Sequence, residues 1–72
     1  MIDIPIGQAL KAIRIQRGMS RHDVELKTGL LCPYQSRFEN GVRAPSLATI
    51  ARLAEGYGTT AWAIVKFAEK AK

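Results

Sequence analysis

The sequence predicts an all-α fold built from five short helices. Glycines divide the chain into segments of helical length, and they are Gly18, Gly29, Gly41, Gly56 and Gly58. Within these segments the apolar residues recur every three or four positions, and no stretch keeps the period-two alternation of a half-buried strand. We therefore expect helices along the whole chain, joined by short turns that contain glycine.

The first helix is predicted from about Ile6 to Arg17. Ile6, Leu10 and Ile13 lie four and three residues apart, so they share one face of a helix. Gly18 follows directly, and we expect it to end this helix in the left-handed backbone conformation.

The second helix is predicted to begin after Ser20. Asp23 follows three residues later, which resembles a capping box with Asp in place of the usual Glu. This helix is short, with Val24 as its clear inward-facing residue, and Gly29 ends it.

The third helix is predicted from about Cys32 to Asn40. Pro33 is acceptable there because it lies in the first turn, where its missing N–H has no helical partner. Gly41 then breaks the chain, and Pro45 restricts the residue before it to extended backbone.

The last two helices begin at hydroxyl side chains, which are favoured capping residues. Ser46 is predicted to cap the fourth helix, and Thr59 or Thr60 the fifth. The apolar residues at helical spacing in the fourth helix are Leu47, Ile50, Leu53 and Ala54. Those of the fifth are Ala61, Ile64, Val65 and Ala68.

The composition limits the function of this single domain, residues 1–72, to a small binding module. Eleven Lys and Arg residues against six Asp and Glu give a formal charge of +5, which favours a negatively charged partner. One cysteine and one histidine provide neither a disulfide nor a metal site, and we expect no cofactor and no catalysis. No apolar run is long enough to span a membrane and no signal peptide opens the chain, so a cytoplasmic location is expected.

Two short helices joined at Gly29 have the layout of a helix-turn-helix, in which the second helix enters the major groove of DNA. Further residues at matching spacing are Ile6, Gly7, Leu10, Arg14, Gly18, Met19, Ser20, Ala54 and the string SRFENGVRAPSL at 36–47. With these residues the chain resembles the Cro/phage-repressor-type (XRE) helix-turn-helix family over about residues 6–65. The resemblance implies a lambda-repressor-like fold, a prokaryotic or phage source, a location at the nucleoid, and sequence-specific binding of double-stranded DNA by a small repressor-like transcriptional regulator.

The resemblance also implies roles for individual residues. Arg14 and Glu39 match a structural ion pair between the first and third helices. The residues at DNA-contacting positions are Arg21, Cys32, Pro33, Tyr34, Ser36, Arg37, Asn40 and Arg43. Among them, Arg37 is the best candidate for reading a base, because a guanidinium can bind guanine O6 and N7 together. The N-terminal N–H groups of the second and third helices are expected to donate to phosphate oxygens.

Three residues depart from the family pattern. Glu25 occupies a position where a small Ala is usual, Thr28 replaces a Leu before the turn, and Gln35 places a polar side chain toward the core. A buried polar group needs a partner, so we expect Glu25 to bond to Gln35 or Tyr34 across the two helices.

The apolar residues of the fifth helix predict a role in the core and a second role in assembly. Trp62, Phe67 and Tyr57 are expected to close the core over the first and fourth helices. However, Trp62, Ile64, Val65 and Phe67 cannot all face inward on one narrow helix. The region of Trp62 and Val65 is therefore a candidate interface for a homodimer.

Two alternatives from other functional classes stay open. An antitoxin uses the same domain but acts by neutralising a partner protein, and a pure interaction module keeps the fold without DNA binding. Cys32 could be a redox-sensitive thiol rather than a contact residue, although a helix start alone does not establish this. His22 has no second metal ligand nearby in the sequence, so it is expected to face solvent.

Overall fold

The computed structural model describes residues 5–70 of the chain. The helices are α1 (Ile6–Gln16), α2 (Arg21–Thr28), α3 (Cys32–Glu39), α4 (Leu47–Tyr57) and α5 (Ala61–Lys70). Within residues 5–70 no segment forms a β-strand, so the predicted five-helix, all-α fold is confirmed. None of the helices in this range is long and apolar enough to cross a membrane.

The predicted helix starts are also confirmed, and those of α2, α4 and α5 are capped by a local side-chain hydrogen bond. Ser20 and Asp23 form a complete capping box, in which the Asp23 N–H donates to Ser20 Oγ at 3.0 Å and the Ser20 N–H donates to Asp23 Oδ2 at 2.9 Å. Ser46 Oγ accepts the Thr49 N–H at 3.1 Å, and Thr60 Oγ1 accepts the Ala63 N–H at 3.1 Å. Of the two candidate threonines, Thr60 is therefore the cap of α5.

The hydrophobic core lies where α1, α4 and α5 meet, with α2 against α4 and α3 against α1. Its fully buried apolar side chains include Leu10, Val24, Leu53 and Ile64, one from each of four helices. Burial of such a side chain stabilises the fold by about 1.5–3 kcal/mol. This core holds α2 and α3 in a fixed relation to the rest of the domain.

The prediction that three aromatic residues close the core is right for two of them and wrong for Trp62. Tyr57 is buried and Phe67 packs partly against the core, whereas 70% of Trp62 is exposed. The reason is helix geometry: Ile64 and Ala68 face inward on α5, and Trp62 lies about 200° around the axis from Ile64.

Close packing of α1 against α3 depends on Gly7. A Cβ atom at this position would collide with the carbonyl oxygen of Phe38 and would come within 2.8 Å of that of Glu39. Both obstacles are backbone atoms, so neither can rotate away. The end of α3 therefore lies against α1 at a distance that only glycine allows.

We expect Gly7→Ala to destabilise the domain by about 1–3 kcal/mol, because overpacking outweighs the better helix propensity of alanine. Urea unfolding followed by circular dichroism measures this change. Gln8→Ala is the matched control, since Gln8 is the adjacent, exposed residue of the same helix. A Gly7→Ala variant as stable as the control would contradict the prediction.

Candidate nucleic-acid interface

The turn between α2 and α3 is built around Gly29 and Thr28. Gly29 has a φ of +77°, which L-residues with a side chain rarely adopt, and its N–H donates to the Glu25 carbonyl at 2.8 Å. The Thr28 hydroxyl donates to the Val24 carbonyl at 2.8 Å and accepts the Leu30 N–H at 3.2 Å. Thr28, which departs from the family pattern, thus secures the turn through two hydrogen bonds.

A buried carboxylate at the end of α3 joins three helices. Glu39 Oε2 accepts from Arg14 Nε at 2.8 Å, and Glu39 Oε1 accepts from Arg14 Nη2 at 3.1 Å. The remaining terminal nitrogen of Arg14 donates to the Met19 carbonyl at 2.9 Å. The structure therefore brings together the two residues of the implied ion pair, in the bidentate geometry that gives strong charge-assisted bonds.

The environment of this pair favours the charged form of Arg14. The Glu39 side chain is only 1% exposed and the Arg14 side chain only 11%. Hydrogen bonding to Glu39 raises the pKa of the Arg14 guanidinium above its ordinary value and outweighs the effect of burial. Burial, with a smaller contribution from the Glu39 charge, also raises the pKa of the neighbouring Tyr57 hydroxyl, so that tyrosine stays neutral.

Arg21 is the second guanidinium on this carboxylate, a contact that the sequence did not predict. Its Nε and Nη2 atoms donate to Glu39 Oε1 at 3.3 Å and 3.0 Å. A third of the Arg21 side chain stays exposed at the start of α2. Its implied contact with phosphate stays a prediction, and the structure places the residue beside Glu39 rather than free in solvent.

Gln35 does point into the core, and it connects α3 to α2 through the backbone. Its Nε2 donates to the Arg21 carbonyl at 3.0 Å and to the Leu30 carbonyl at 2.8 Å. The side chain is buried, and Oε1 has no hydrogen-bond partner. An unsatisfied buried oxygen weakens the fold, while the two donated bonds hold α3 against the turn.

The predicted bond from Glu25 to Gln35 or Tyr34 is wrong. Glu25 Oε1 instead accepts the backbone N–H of Cys32 at 2.9 Å. The physical reason is that Leu31, the residue at the N-cap of α3, has no side-chain acceptor for the first N–H groups of the helix. The carboxylate of α2 supplies the missing acceptor.

This contact also corrects the expectation that the start of α3 offers its N–H groups to phosphate. The Cys32 N–H is already bonded to Glu25, and the Tyr34 and Gln35 N–H groups donate to the Leu31 carbonyl. At α2, the Asp23 N–H is likewise taken by Ser20 within the capping box. Both helix starts are occupied, at least in part, by groups of the protein itself.

The outer surface of α3 carries the residues proposed to contact DNA. Pro33, Tyr34 and Arg37 are exposed, and Cys32 and Ser36 are half-buried. The Arg37 guanidinium carbon lies 5.6 Å from the centre of the Tyr34 ring, which is a cation–π contact one helical turn apart. This contact orients Arg37, the single cationic side chain of α3.

The end of α3 and the loop after it complete this surface. Asn40 Nδ2 donates to Ser36 Oγ at 3.2 Å, so these two predicted contact residues bond to each other. Arg43 is exposed in the loop, and its backbone N–H donates to the Arg37 carbonyl at 3.3 Å. The implied DNA-contacting residues therefore form one surface, with Arg21 set back toward Glu39.

No cluster of three or more His, Cys, Asp or Glu side chains suited to a metal ion occurs among residues 5–70. His22 is exposed on α2, and Cys32 is a free, half-buried thiol at the start of α3. Burial, followed by the neighbouring Glu25 carboxylate, raises the pKa of this thiol. Reactive, redox-active cysteines have a lowered pKa, so the raised pKa of Cys32 does not favour a redox role.

Several solved structures share this fold, and three of them are described as regulators or controllers. The clp gene regulator ClgR from C. glutamicum is 19% identical with a TM-score of 0.88, over 93% of this chain and 87% of that one. The restriction-modification controller protein C.AhdI from Aeromonas hydrophila is 28% identical with a TM-score of 0.78, over 85% and 92% of the two chains. The controller protein C.Esp1396I is 21% identical with a TM-score of 0.82, over 92% and 85%.

Comparison with curated protein sequences gives no match. A family model described as a helix-turn-helix domain matches residues 5–62, from the N-cap of α1 into α5. The match includes the α2–Gly29–α3 unit and every residue proposed to contact DNA. The chain therefore belongs to the helix-turn-helix domain family, and its resemblance to the Cro/phage-repressor type of DNA-binding domain is confirmed.

Proposed function

We propose that this protein is a transcriptional regulator that binds double-stranded DNA sequence-specifically, with α3 in the major groove. The observation that carries the proposal is the stacked, exposed pair of Tyr34 and Arg37 on α3. A guanidinium held on an aromatic ring loses less conformational freedom when it binds a base edge. The fixed angle of α3 against α1 and α2 supports the same role.

Within this proposal the contact residues divide into two groups. Arg37 reads guanine through O6 and N7, and Tyr34 packs on a thymine methyl or donates to a phosphate. The residues that contact phosphate are Arg21, Ser36, Asn40 and Arg43, while Cys32 and Pro33 at the start of α3 touch the edge of a base. Phosphate contacts of this kind set the position of the protein, while base contacts set its sequence preference.

The names of the similar structures support a role in gene control. ClgR is described as a regulator of the clp gene, and C.AhdI and C.Esp1396I as controllers of restriction-modification. A protein that occupies its site blocks or recruits polymerase. The proposal needs no catalytic group or cofactor, and it implies a cytoplasmic location at the nucleoid.

We also propose that the regulator is a homodimer formed through α5. Trp62 is 70% exposed, which is unusual for the largest apolar side chain of a small domain. Val65, one turn further on, is half-buried beside it. A two-fold dimer would read two half-sites about one helical turn, or 34–36 Å, apart.

Selection of bound duplexes from a random DNA library tests the proposal. We expect the chain to enrich one sequence, and Arg37→Ala to lose discrimination at one guanine by about 5- to 150-fold, corresponding to about 1–3 kcal/mol. Arg52→Ala is the matched control, because it removes the same charge from an exposed position of α4.

If Arg37→Ala still discriminated at the same guanine as strongly as wild type, the assignment of Arg37 as the base-reading residue would be contradicted. Binding without any enriched sequence, but with a steep salt dependence, would reduce the interaction to phosphate attraction. That result would turn attention to the antitoxin or interaction-module alternatives, which co-purification of a partner protein would identify.

A further inference from the structure

We propose that Glu25 is a positioning residue that anchors the first residue of α3 and keeps DNA phosphate away from this helix start. Sequence preference then depends on the side chains along α3 and less on backbone attraction. The inference rests on the proposed DNA-binding function. It adds a residue that the family pattern does not supply, since alanine is usual at this position.

The first step is the hydrogen bond itself. Glu25 Oε1 accepts the Cys32 N–H at 2.9 Å across the turn, from a residue seven positions earlier. No side chain of α3 or its N-cap residue caps this helix, so its start is anchored by α2 instead. The carboxylate therefore links the two helices at the point where α3 begins.

The second step is the charge that Glu25 brings to this place. The N-terminus of a helix attracts anions, because its free N–H groups and its dipole both favour negative charge. In this chain the anion at the start of α3 is the Glu25 carboxylate of the protein itself. Hydrogen bonding from Cys32 lowers the pKa of Glu25, so the group stays ionised at neutral pH.

The third step is the consequence for DNA. A phosphate that approaches the start of α3 meets an occupied N–H and a fixed negative charge, within a protein whose formal charge is +5. Sequence-independent complexes place the protein in many poses on the phosphate backbone, so Glu25 disfavours those that use this helix start. A sequence-specific complex held by base contacts has a single pose, so the Glu25 charge lowers its affinity less.

The reactivity of Cys32 tests the anchor without DNA. Cys32 is the single cysteine of the chain, so its alkylation by iodoacetamide can be followed over a range of pH. We expect Glu25→Gln to lower the thiol pKa, because the neighbouring negative charge is removed. Glu69→Gln, an exposed position near the end of α5, should leave the profile unchanged.

The anchor requires the Glu25 carboxylate to lie beside Cys32, so an unchanged alkylation profile in Glu25→Gln would mean that the carboxylate lies elsewhere and would overturn the anchor. Circular dichroism of each variant checks that the helices form. Glu25→Gln keeps an oxygen that can accept the Cys32 N–H, so it separates the charge of Glu25 from its hydrogen bond.

Affinity for DNA tests the effect on phosphate. We expect Glu25→Gln to raise the affinity for a random duplex roughly fivefold and to change the affinity for the selected sequence less. Glu25→Ala, which removes the hydrogen bond as well, should also weaken binding to the selected sequence. Glu69→Gln is the control for net charge and should keep the ratio of the two affinities.

Equal gains on random and selected duplexes in Glu25→Gln would overturn the effect of Glu25 on sequence preference. Wild-type protein that binds no DNA would overturn the proposed function, and with it the role of Glu25 toward phosphate. The alkylation profile would still decide whether Glu25 anchors α3, so the two failures are distinguishable.

Discussion

Replacing Glu39 with alanine is expected to lower the free energy of unfolding by about 3–5 kcal/mol. The substitution removes the acceptor of two guanidinium groups and leaves Arg14 buried without a counter-charge. A 72-residue domain has a total stability of about 4–11 kcal/mol, so this loss is a large part of it. Urea or thermal unfolding followed by circular dichroism measures the change.

Two further variants separate the charge of Glu39 from its packing. Glu69→Ala removes an exposed carboxylate and should change the stability by less than about 0.5 kcal/mol. The double variant with Arg14→Leu and Glu39→Leu should be more stable than Glu39→Ala, because no buried charge is left unpaired. A Glu39→Ala variant within about 1 kcal/mol of wild type would contradict a buried, stabilising pair.

Glu39 also matters for the orientation of the DNA-reading surface. It is the last residue of α3, and its carboxylate connects this helix to Arg14 of α1 and Arg21 of α2. Gly7 allows the close approach of α1 at the same end of α3, and Glu25 anchors the opposite end. The recognition helix is therefore held at both ends by contacts made outside its exposed face.

The parts of the fold that could be predicted are those determined by local sequence. A capping side chain bonds three residues along the chain, so Ser20 and Ser46 identify helix starts without knowledge of the fold. Gly18 and Gly29 mark helix ends because their backbone has positive φ. The helix boundaries therefore agree closely with the prediction.

The contacts that were missed or assigned to the wrong partner join residues of different helices. Arg21 and Glu39 are 18 residues apart, and Glu25 and Cys32 lie on different helices. A long charged side chain can reach several partners, and only the angle between helices decides which one it meets. The unusual Glu25 was recognised as a departure, but its partner is a backbone N–H, which side-chain patterns do not reveal.

The exposure of Trp62 has the largest expected consequence for assembly. On a helix, Trp62 shares a face with Val65 and Glu69, at spacings of three and seven residues, while Ile64 and Ala68 face the core. Trp62 therefore contributes little to the core of one chain and can be replaced without opening a cavity. Tryptophan is among the residues that contribute most to interfaces when a partner covers it.

We expect Trp62→Glu to convert a dimer into a folded monomer, measured by sedimentation equilibrium together with circular dichroism. Leu47→Glu is the matched control, because Leu47 is 72% exposed on α4 and receives the same charge. The Leu47→Glu variant should remain dimeric.

The same substitution should weaken binding to an inverted repeat by about 100-fold or more, because the second half-site is no longer bound by a linked subunit. Binding to a single half-site should stay close to that of wild type, since the surface of α3 is unchanged. A Trp62→Glu variant that stays dimeric would place the interface elsewhere. If the wild type is a monomer that binds one half-site, the proposed regulator still stands but the proposed dimer does not.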